Sequence, residues 1–401
     1  MPKIVFLHPD LGIGGAEKAV VDAALALKSR GHEVEFLTAH HDPNHCFQET
    51  RDGSFKVTVA GDWLPRNFFG RFYAVCAYIR MIYAAIYLVF FSDICFDIVF
   101  CDQISACVPI LKCSKGKILF YCHFPDMLLA KRDTILKRIY RAPIDLLEEW
   151  TTGMAHIVLV NSKFTASVFQ DTFRSLRNCK PSVLYPIPDF TAFNKPVEEN
   201  IDDIMPTNKN LVFLSINRYE RKKNLALAIQ AFGQLKDKIS KSTGDRIHLI
   251  MAGGYDERVV ENKEHYLELR LLCDKLGIND DVTFLRSISD GQKRLLLEHC
   301  DCLIYTPDKE HFGIVPIEAM YMKCPVIACS SGGPLETVVD GKTGYLREGL
   351  PDQFAEAMER IVDDPKLAGK LGEAGKKHVE DKFSFRAFTQ QLNTVITELM
   401  K

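Results

Sequence analysis

Strand-like and helical patterns alternate twice along this chain of 401 residues, and this alternation indicates an α/β fold. Apolar segments of strand length lie at 3–8, 33–38, 98–101, 117–122 and 157–160 in the first half, and at 211–216, 247–252, 282–285, 302–305 and 326–328 in the second. Helical patterns in the first half lie at 16–30, 72–91, 127–153 and 163–174. We therefore predict two doubly wound, Rossmann-like domains, each built on a parallel sheet.

Five prolines between residues 181 and 206 interrupt the alternation and indicate a linker. The predicted boundaries are 1–186 for an N-terminal domain, 187–206 for the linker, 207–380 for a C-terminal domain and 381–401 for a final helix that packs back towards the N-terminal domain. Ligands of doubly wound sheets bind at the carboxyl ends of the strands. We therefore expect the two domains to face a central cleft that holds the site.

Composition excludes some classes of partner. The formal net charge is −2 and the basic residues are spread along the chain, which gives no reason to expect a nucleic acid partner. The 13 cysteines fall mainly in apolar runs and show no metal-ligand spacing. They indicate reduced, buried thiols in a cytosolic compartment.

The segment 72–91 is long and apolar enough to cross a bilayer, and Arg80 is its single charge. Three interpretations are open: a helix partly in the core and partly seated in a membrane, a fully buried helix, and a membrane span. The cost of placing Arg80 in lipid disfavours the membrane span. Aromatic residues in and before the segment favour interfacial attachment. The predicted membrane-associating residues are Trp63, Phe68, Phe69, Tyr78 and Tyr83.

Two carboxylates flank a glycine in the motif EHFGIVPIE. Glu310 is expected in a loop after the strand at 302–305, and Glu318 in the second turn of a helix at 313–322. The first N–H groups of that helix, at Gly313 and Ile314, could bind an anion.

Cations follow the strand at 211–216 in the motif SINRYERKKN, which contains Arg218 and Lys223. A solvated turn is the ordinary explanation, but a cation directly after a strand end is expected to point into the site and bind a diphosphate. After the next strand, Gly253 and Gly254 permit close approach of a ligand to the backbone.

The loops after two N-terminal strands also carry candidate residues. The motif GIGGAEK places Gly14 and Gly15 before a helix, which allows phosphate binding or a plain tight turn. Glu17 occupies the position of the third glycine of the dinucleotide fingerprint, which disfavours NAD. His123 follows the strand at 117–122, where it could donate to or accept from a substrate hydroxyl, although a lone histidine is usually structural.

With these motifs the chain resembles the retaining glycosyltransferases of two-domain GT-B architecture, over nearly its whole length. The motifs FLHPDLGIGGAEK, YCHFPD, YRAPID, SINRYERKKN, MAGGYDER and EHFGIVPIEAMYM are similar to those of the mannosyltransferase family that extends the dolichol-linked oligosaccharide of asparagine-linked glycosylation. The resemblance implies transfer from GDP-mannose to dolichol-diphosphate-linked mannosyl-chitobiose, through alpha-1,3 and then alpha-1,6 linkages. It further implies a place on the cytosolic face of the endoplasmic reticulum membrane, with other early mannosyltransferases as possible partners.

The same resemblance implies roles for the candidate residues. The N-terminal domain would serve the lipid acceptor, with Gly14 and Gly15 under the phosphates, and the C-terminal domain would bind the donor. The implied catalytic residues are His123, Arg218, Lys223 and Glu310, and the implied donor-binding residues are Glu318, Gly313, Ile314, Gly253 and Gly254. Since cations can replace a metal at the diphosphate, we expect no metal and no cofactor.

Two alternatives remain open: another GT-B nucleotide-sugar glycosyltransferase, and a catalytically silent scaffold of the same fold. The two acids are not expected to act as the paired carboxylates of a retaining glycosidase, which flank a single bond.

Overall fold

A computed structural model of the protein describes residues 1–130, 132–206 and 209–401. The chain forms two compact units, Met1–Ile187 with Phe385–Lys401, and Pro188–Ser384. Lys131, within the predicted helix 127–153, and residue 207, the predicted start of the second domain, lie outside the described residues.

The sheet of the first unit has seven parallel strands in the order β3-β2-β1-β4-β5-β6-β7. The order reverses between β1 and β4, so the loops that follow β1, β4 and β5 start side by side. All five predicted strands are present, whereas the two short strands β3 and β7 were not predicted. The strands are β1 (Lys3–His8), β2 (Glu33–Thr38), β3 (Lys56–Val59), β4 (Ile98–Asp102), β5 (Lys117–Cys122), β6 (Ile157–Val160) and β7 (Ser182–Val183).

Helices cover both faces of this sheet. They are α1 (Gly15–Ser29), α2 (Tyr73–Ile86), α3 (Val108–Leu111), α4 (Asp126–Leu129), α5 (Ile135–Thr152) and α6 (Lys163–Thr172). The predicted helix 127–153 is two helices, α4 and α5. The predicted helix 72–91 is α2 followed by a π-helical turn at Tyr87–Phe91.

Helix α2 is anchored in the core of the first unit by one face. Arg80 is buried, and its Nη2 donates a hydrogen bond of 2.8 Å to the carbonyl oxygen of Ala39. Tyr78 is also buried, with 7% of its surface exposed, so its prediction as a membrane-associating residue is wrong: its ring packs in the core. The stretch Tyr73–Phe91 is nevertheless long and apolar enough to cross a membrane, as the one such helix among the described residues.

The sheet of the second unit has six parallel strands in the order β10-β9-β8-β11-β12-β13. Here the order reverses between β8 and β11. The strands are β8 (Leu211–Ile216), β9 (Ile247–Gly253), β10 (Val282–Arg286), β11 (Cys302–Tyr305), β12 (Val326–Cys329) and β13 (Gly344–Arg347). The helices are α7 (Leu225–Lys238), α8 (Lys241–Gly244), α9 (Val260–Leu276), α10 (Asp290–His299), α11 (Ile314–Tyr321), α12 (Pro334–Thr337), α13 (Pro351–Asp363) and α14 (Pro365–Lys382).

The last helix, α15 (Phe385–Leu399), belongs to the first unit. Phe388, Leu392 and Ile396 share an apolar core with Val20 and Ala24 of α1. At the edge of this contact, His32 Nε2 lies 2.9 Å from Asn393 Oδ1. Each unit thus has the doubly wound parallel sheet that the sequence predicts.

Candidate functional site

Lys223 and Glu310 meet at the strand-order reversal of the second unit. Lys223 lies in the loop after β8 and Glu310 in the loop after β11, the neighbouring strand. Lys223 Nζ is 2.5 Å from Glu310 Oε2, and 12% and 24% of the two side chains are exposed. The loop of Lys223 is held by Thr306, whose Oγ1 donates to the Lys223 carbonyl oxygen at 2.8 Å. Two predicted catalytic residues are therefore joined as a largely buried ion pair.

Glu318 has a different partner. It lies on α11, which begins at Ile314, after Gly313 has turned the chain with a φ of 81°. Its Oε2 is 2.6 Å from Nζ of Lys293 on α10, and the residue is buried. The two acids of the motif therefore sit on separate elements with separate lysines. Sequence reasoning did not find Lys293, because no local pattern marks it.

Tyr305 lies next to both acids. Burial, together with the negative charges of Glu310 and Glu318, raises the pKa of its phenol well above the ordinary value, so the group stays neutral. A Cβ at Gly313 would lie 3.2 Å from the Tyr305 hydroxyl oxygen, and the positive φ there favours glycine in any case. This explains why a glycine separates the acids.

Arg218 and the glycine pair at the end of β9 are neighbours. Arg218 is exposed, and its Nη1 is 2.9 Å from Glu220 Oε1. Gly253 has a φ of 143°, and a Cβ there would lie 1.9 Å from the Asn217 carbonyl oxygen. A Cβ at Gly254 would lie 3.1 Å from Arg218 Cγ. The loops after β8 and β9 can pack this closely because both residues are glycine, while their role in donor binding stays a prediction.

In the first unit, polar residues from three neighbouring strand ends form a buried network. His8 ends β1, Asp102 ends β4, and His123 follows β5. Asp102 Oδ1 is 2.7 Å from His8 Nδ1, and Asp102 Oδ2 is 2.8 Å from His123 Nε2. Glu17 Oε1 is 3.6 Å from His8 Nε2, close enough for an ion pair but not for a hydrogen bond. Asp102 therefore bridges two histidines and orients the ring of His123.

The network is charged at neutral pH. Burial disfavours the charged imidazole of His8, but Asp102 and Glu17 outweigh burial and raise its pKa to about 10. Burial alone would raise the pKa of Asp102, yet the two histidines lower it below the ordinary value. The pKa of Glu17 is lowered as well, since the contacts with His8 outweigh its burial.

Glu17, which breaks the dinucleotide fingerprint, belongs to this network. A Cβ at Gly14 would lie 2.2 Å from Glu17 Oε2, so the glycine leaves room for the carboxylate beside His8. Gly15 is the first residue of α1, and a Cβ there would meet no atom within 4 Å. Sequence reasoning did not find His8 or Asp102. The available signal was that each residue ends an apolar strand. Joining the two residues into one site also requires the order of the strands in the sheet, which the sequence pattern does not give.

The predicted membrane-associating residues are unequally exposed. Trp63 and Phe68 are exposed, and Phe69 is fully so. Tyr83 is half-buried, with its ring edge-on to Trp63 at 5.5 Å between centroids. Among the described residues, no group of three or more His, Cys, Asp or Glu side chains is placed to hold a metal ion.

Comparison with known proteins decides the family. Residues 13–189 match the family model "Glycosyltransferase Family 4", and residues 197–378 match "Glycosyl transferases group 1". The chain is 55% identical to the alpha-1,3/1,6-mannosyltransferase ALG2 of Homo sapiens, covering 100% of this chain and 96% of that protein. The corresponding protein of Dictyostelium discoideum is 49% identical, covering 99% and 98%.

The chain belongs to the alpha-1,3/1,6-mannosyltransferase family. It is a glycosyltransferase, and the scaffold alternative is not favoured. Solved structures confirm the GT-B fold class: sucrose-phosphate synthase from Thermosynechococcus elongatus superimposes with a TM-score of 0.73 at 20% identity, covering 99% of both chains. HepE from Anabaena, in complex with UDP, gives a TM-score of 0.72 at 18% identity, covering 99% of this chain and 100% of that one.

In this mannosyltransferase, two glycines of the motif SSGGPLET, at residues 330–337, support the loop that carries Glu310. Gly333 N–H donates to the Glu310 carbonyl oxygen at 2.7 Å. A Cβ at Gly332, whose φ is 61°, would lie 2.4 Å from that same oxygen, and a Cβ at Gly333 would lie 2.0 Å from the Phe312 carbonyl oxygen. The clashing atoms are backbone, so the loop of Glu310 would have to move.

We therefore expect Gly332→Ala to lower mannosyl transfer at least about tenfold if Glu310 has its predicted catalytic role, because a displacement of about 1 Å at such a group has a large kinetic cost. Gly341→Ala is the matched control: its φ is 69°, but a Cβ there meets no atom within 4 Å. Both changes strain the backbone, by about 1 kcal/mol. Steady-state kinetics and melting temperatures of the two variants separate displacement from strain, and equal activities would contradict the positioning role.

The charge on His8 predicts a pH dependence of stability. Its pKa is raised from 6.5 to about 10 in the folded protein, so its stabilising contribution is full below about pH 6.5 and is lost as the pH rises to about 10. We expect the difference in free energy of unfolding between the wild type and His8→Gln to be larger at about pH 6 than at about pH 9.5. Urea denaturation at both values measures it. A difference that does not change with pH would mean that His8 is neutral.

Proposed function

We propose that this mannosyltransferase uses GDP-mannose as donor and dolichol-diphosphate-linked mannosyl-chitobiose as acceptor, forming an alpha-1,3 and then an alpha-1,6 linkage. The proposed location is the cytosolic face of the endoplasmic reticulum membrane, where other early mannosyltransferases of the same pathway are candidate partners. The observation that carries the proposal is the Lys223–Glu310 pair at the strand-order reversal of the second unit, with Arg218 in the same loop as Lys223.

The donor diphosphate is assigned to Arg218 and Lys223. A diphosphate would compete with Glu310 for the Lys223 ammonium, and the carboxylate of Glu310 would then accept hydrogen bonds from mannose hydroxyls. Both cations would stabilise the charge that develops on the leaving GDP. Because they supply this charge, we propose that transfer needs neither a metal nor a cofactor.

The nucleoside is assigned to the neighbouring surface. Glu318 is proposed to accept hydrogen bonds from the ribose hydroxyls, with the first N–H groups of α11, near Gly313 and Ile314, beside the donor. A cavity next to Gly253 and Gly254 is lined by Tyr255 and Arg286, whose guanidinium carbon is 4.9 Å from the Tyr255 ring centroid. A planar base could stack on such a pair.

Retention is proposed to proceed by substitution on one face of the sugar, with an oxygen of the leaving diphosphate taking the proton of the acceptor hydroxyl. The C1–O bond to GDP breaks as the bond to the acceptor oxygen forms. Glu310 and Glu318 are each paired with a lysine from a different element, which suits binding and not nucleophilic attack. His123 and the Gly14–Gly15 loop keep the roles that the resemblance implies: His123 contacts the transferred sugar, and the loop lies under the phosphates and the acceptor.

Mass spectrometry of the product tests the proposal. The purified protein is incubated in detergent and EDTA with GDP-mannose and the lipid-linked acceptor, and in parallel with UDP-glucose and UDP-galactose. We expect the acceptor to gain two hexoses with GDP-mannose and none with either UDP-sugar. Transfer from a UDP-sugar would favour a different GT-B specificity, and activity that appears only when a divalent cation replaces EDTA would refute metal independence.

A further inference from the structure

Helix α5 buries five polar or charged side chains beside Ile144 and exposes most of its apolar ones. Its buried face contains the polar or charged side chains of Arg141, Asp145, Glu148, Thr151 and Thr152. Its opposite face exposes Ile135, Leu136, Ile139, Leu146 and Trp150, which we call the α5 apolar face. A surface helix of a water-soluble protein normally has the reverse arrangement. Something other than water is therefore expected to cover this face.

The buried polar side chains fix the helix in this orientation. Arg141 Nη2 donates to Asp126 Oδ2 at 2.7 Å. Both carboxylate oxygens of Glu148 accept backbone N–H groups at the start of α4, from Asp126 at 2.7 Å and from Met127 at 2.9 Å. Ser105 Oγ lies 2.7 Å from Thr151 Oγ1. Because these bonds would be broken if α5 rolled about its axis, the apolar face cannot turn inward without a large cost.

The α5 apolar face continues onto the segment that precedes α2. Tyr140 of α5 contacts Phe72 edge-on, with 5.5 Å between ring centroids. Phe68, Phe69 and Tyr73, close to Phe72 in the chain, are exposed. The face itself extends about 22 Å along the helix, at 1.5 Å per residue. Two segments therefore form one broad apolar surface on the first unit.

Basic residues lie at the N-terminal end of the same helix. Arg132, Lys137 and Arg138 are exposed there, against one exposed carboxylate, that of Asp133. Arg132 Nη2 is 2.9 Å from Asp145 Oδ2 and Lys137 Nζ is 3.4 Å from Asp133 Oδ2, so two of the three cations have a carboxylate partner. Arg138 Nε donates to the backbone carbonyl of Arg132, which leaves an excess of one positive charge at Arg138. Apolar side chains, an interfacial tryptophan and an excess of cations together match a bilayer with anionic headgroups.

We propose that the α5 apolar face rests on the surface of an anionic lipid bilayer, as a membrane-binding surface additional to residues 63–91. It extends the proposed function, in which the acceptor is a lipid, by naming a second element that meets the membrane. The buried polar bonds orient α5 with its axis along the membrane plane, with Leu146 and Trp150 among the acyl chains and Arg138 at the headgroups.

Vesicle flotation tests this surface. The wild type is compared with the double variant Leu146→Glu/Trp150→Glu on vesicles of phosphatidylcholine, with and without phosphatidylserine. The matched control is Leu267→Glu/Leu271→Glu, which changes two similarly exposed leucines on α9 of the second unit. We expect the α5 variant to bind anionic vesicles at least about tenfold more weakly than the wild type, because burying either apolar side chain in lipid strengthens binding by about that factor. We expect the control to bind as the wild type does.

Arg138→Gln is expected to weaken binding to anionic vesicles several-fold and to leave binding to neutral vesicles unchanged. Equal binding of the α5 variant and the wild type would overturn the proposal, as would equal losses in both double variants. Light scattering provides a further contrary outcome: if the wild type is a dimer and the α5 variant a monomer with unchanged vesicle binding, a second copy covers this face. The assay contains neither donor nor acceptor, so its failure would leave the proposed transfer reaction standing.

Discussion

Lys223→Ala should lower kcat/KM for mannosyl transfer by about two to three orders of magnitude, the range found when a group that stabilises developing charge is removed. In the proposed reaction, this ammonium neutralises the leaving diphosphate. Lys222→Ala is the matched control, because Lys222 is the preceding residue, is exposed, and lies 3.1 Å from Glu220 Oε2. We expect it to change kcat/KM less than about threefold, as solvated ion pairs contribute little. Steady-state kinetics with saturating acceptor measures both.

Glu310→Ala should abolish transfer without unfolding the protein, because a loop carboxylate contributes little to the core. In this variant Lys223, whose side chain is only partly exposed, would lose its carboxylate partner. The double variant Lys223→Ala/Glu310→Ala removes both charges and tests whether they act as one unit. If they do, the double variant is no less active than the less active of the two single variants. A large fall in the melting temperature of Glu310→Ala would instead assign this residue to the fold.

Asp102→Asn is expected to destabilise the first unit by about 3 to 5 kcal/mol, the usual cost of removing one partner of a buried ion pair. It leaves the buried His8 without the carboxylate that holds its charge, and it replaces one of the two oxygens that face His8 and His123 with an NH2 donor, which disrupts the bridge that orients His123. Transfer should fall as well, because His123 is a proposed sugar-binding residue. Urea denaturation and kinetics at one pH measure the two effects.

The double variant His8→Met/Asp102→Leu separates these effects. Replacing a buried charge pair with apolar residues often recovers stability. We expect the double variant to be more stable than Asp102→Asn and as poor in transfer, since His123 still lacks its partner. Recovery of both stability and transfer would show that the network serves only the fold.

The pattern of the sequence predicted the two sheets because buried parallel strands form continuous apolar runs of recognisable length. It did not predict β3, β7 and β13. In β3, Lys56 and Thr58 alternate with the two valines, β7 has only two residues, and β13 is a four-residue strand with a glycine at one end and Arg347 at the other. Single polar residues at strand ends, such as Asp102, acquire meaning only from the order of the strands. Arg218, Lys223 and Glu310 were found because a cation cluster and an acid pair are unusual in such loops.

The α5 apolar face was missed for a related reason. A helical period shows that residues 135–152 are amphipathic, but not which face turns inward, and apolar side chains are ordinarily assumed to be buried. The buried contacts of Arg141 and Glu148 reverse that assumption. The error at Tyr78 has the same origin: α2 carries apolar side chains around its whole circumference, so the pattern could not separate its core face from its exposed one.

The placement of α15 has a consequence for synthesis on the ribosome. The first unit begins at Met1 but takes Phe388, Leu392, Ile396 and Leu399 into its core. A nascent chain that has emerged as far as Ile187 therefore exposes the apolar side of α1 while the whole second unit is translated. The second unit is contiguous and can complete its core first, so translation order and folding order differ in this enzyme. A fragment ending at Ile187 should need its missing helix, added in trans as a peptide, to become fully protected from proteolysis.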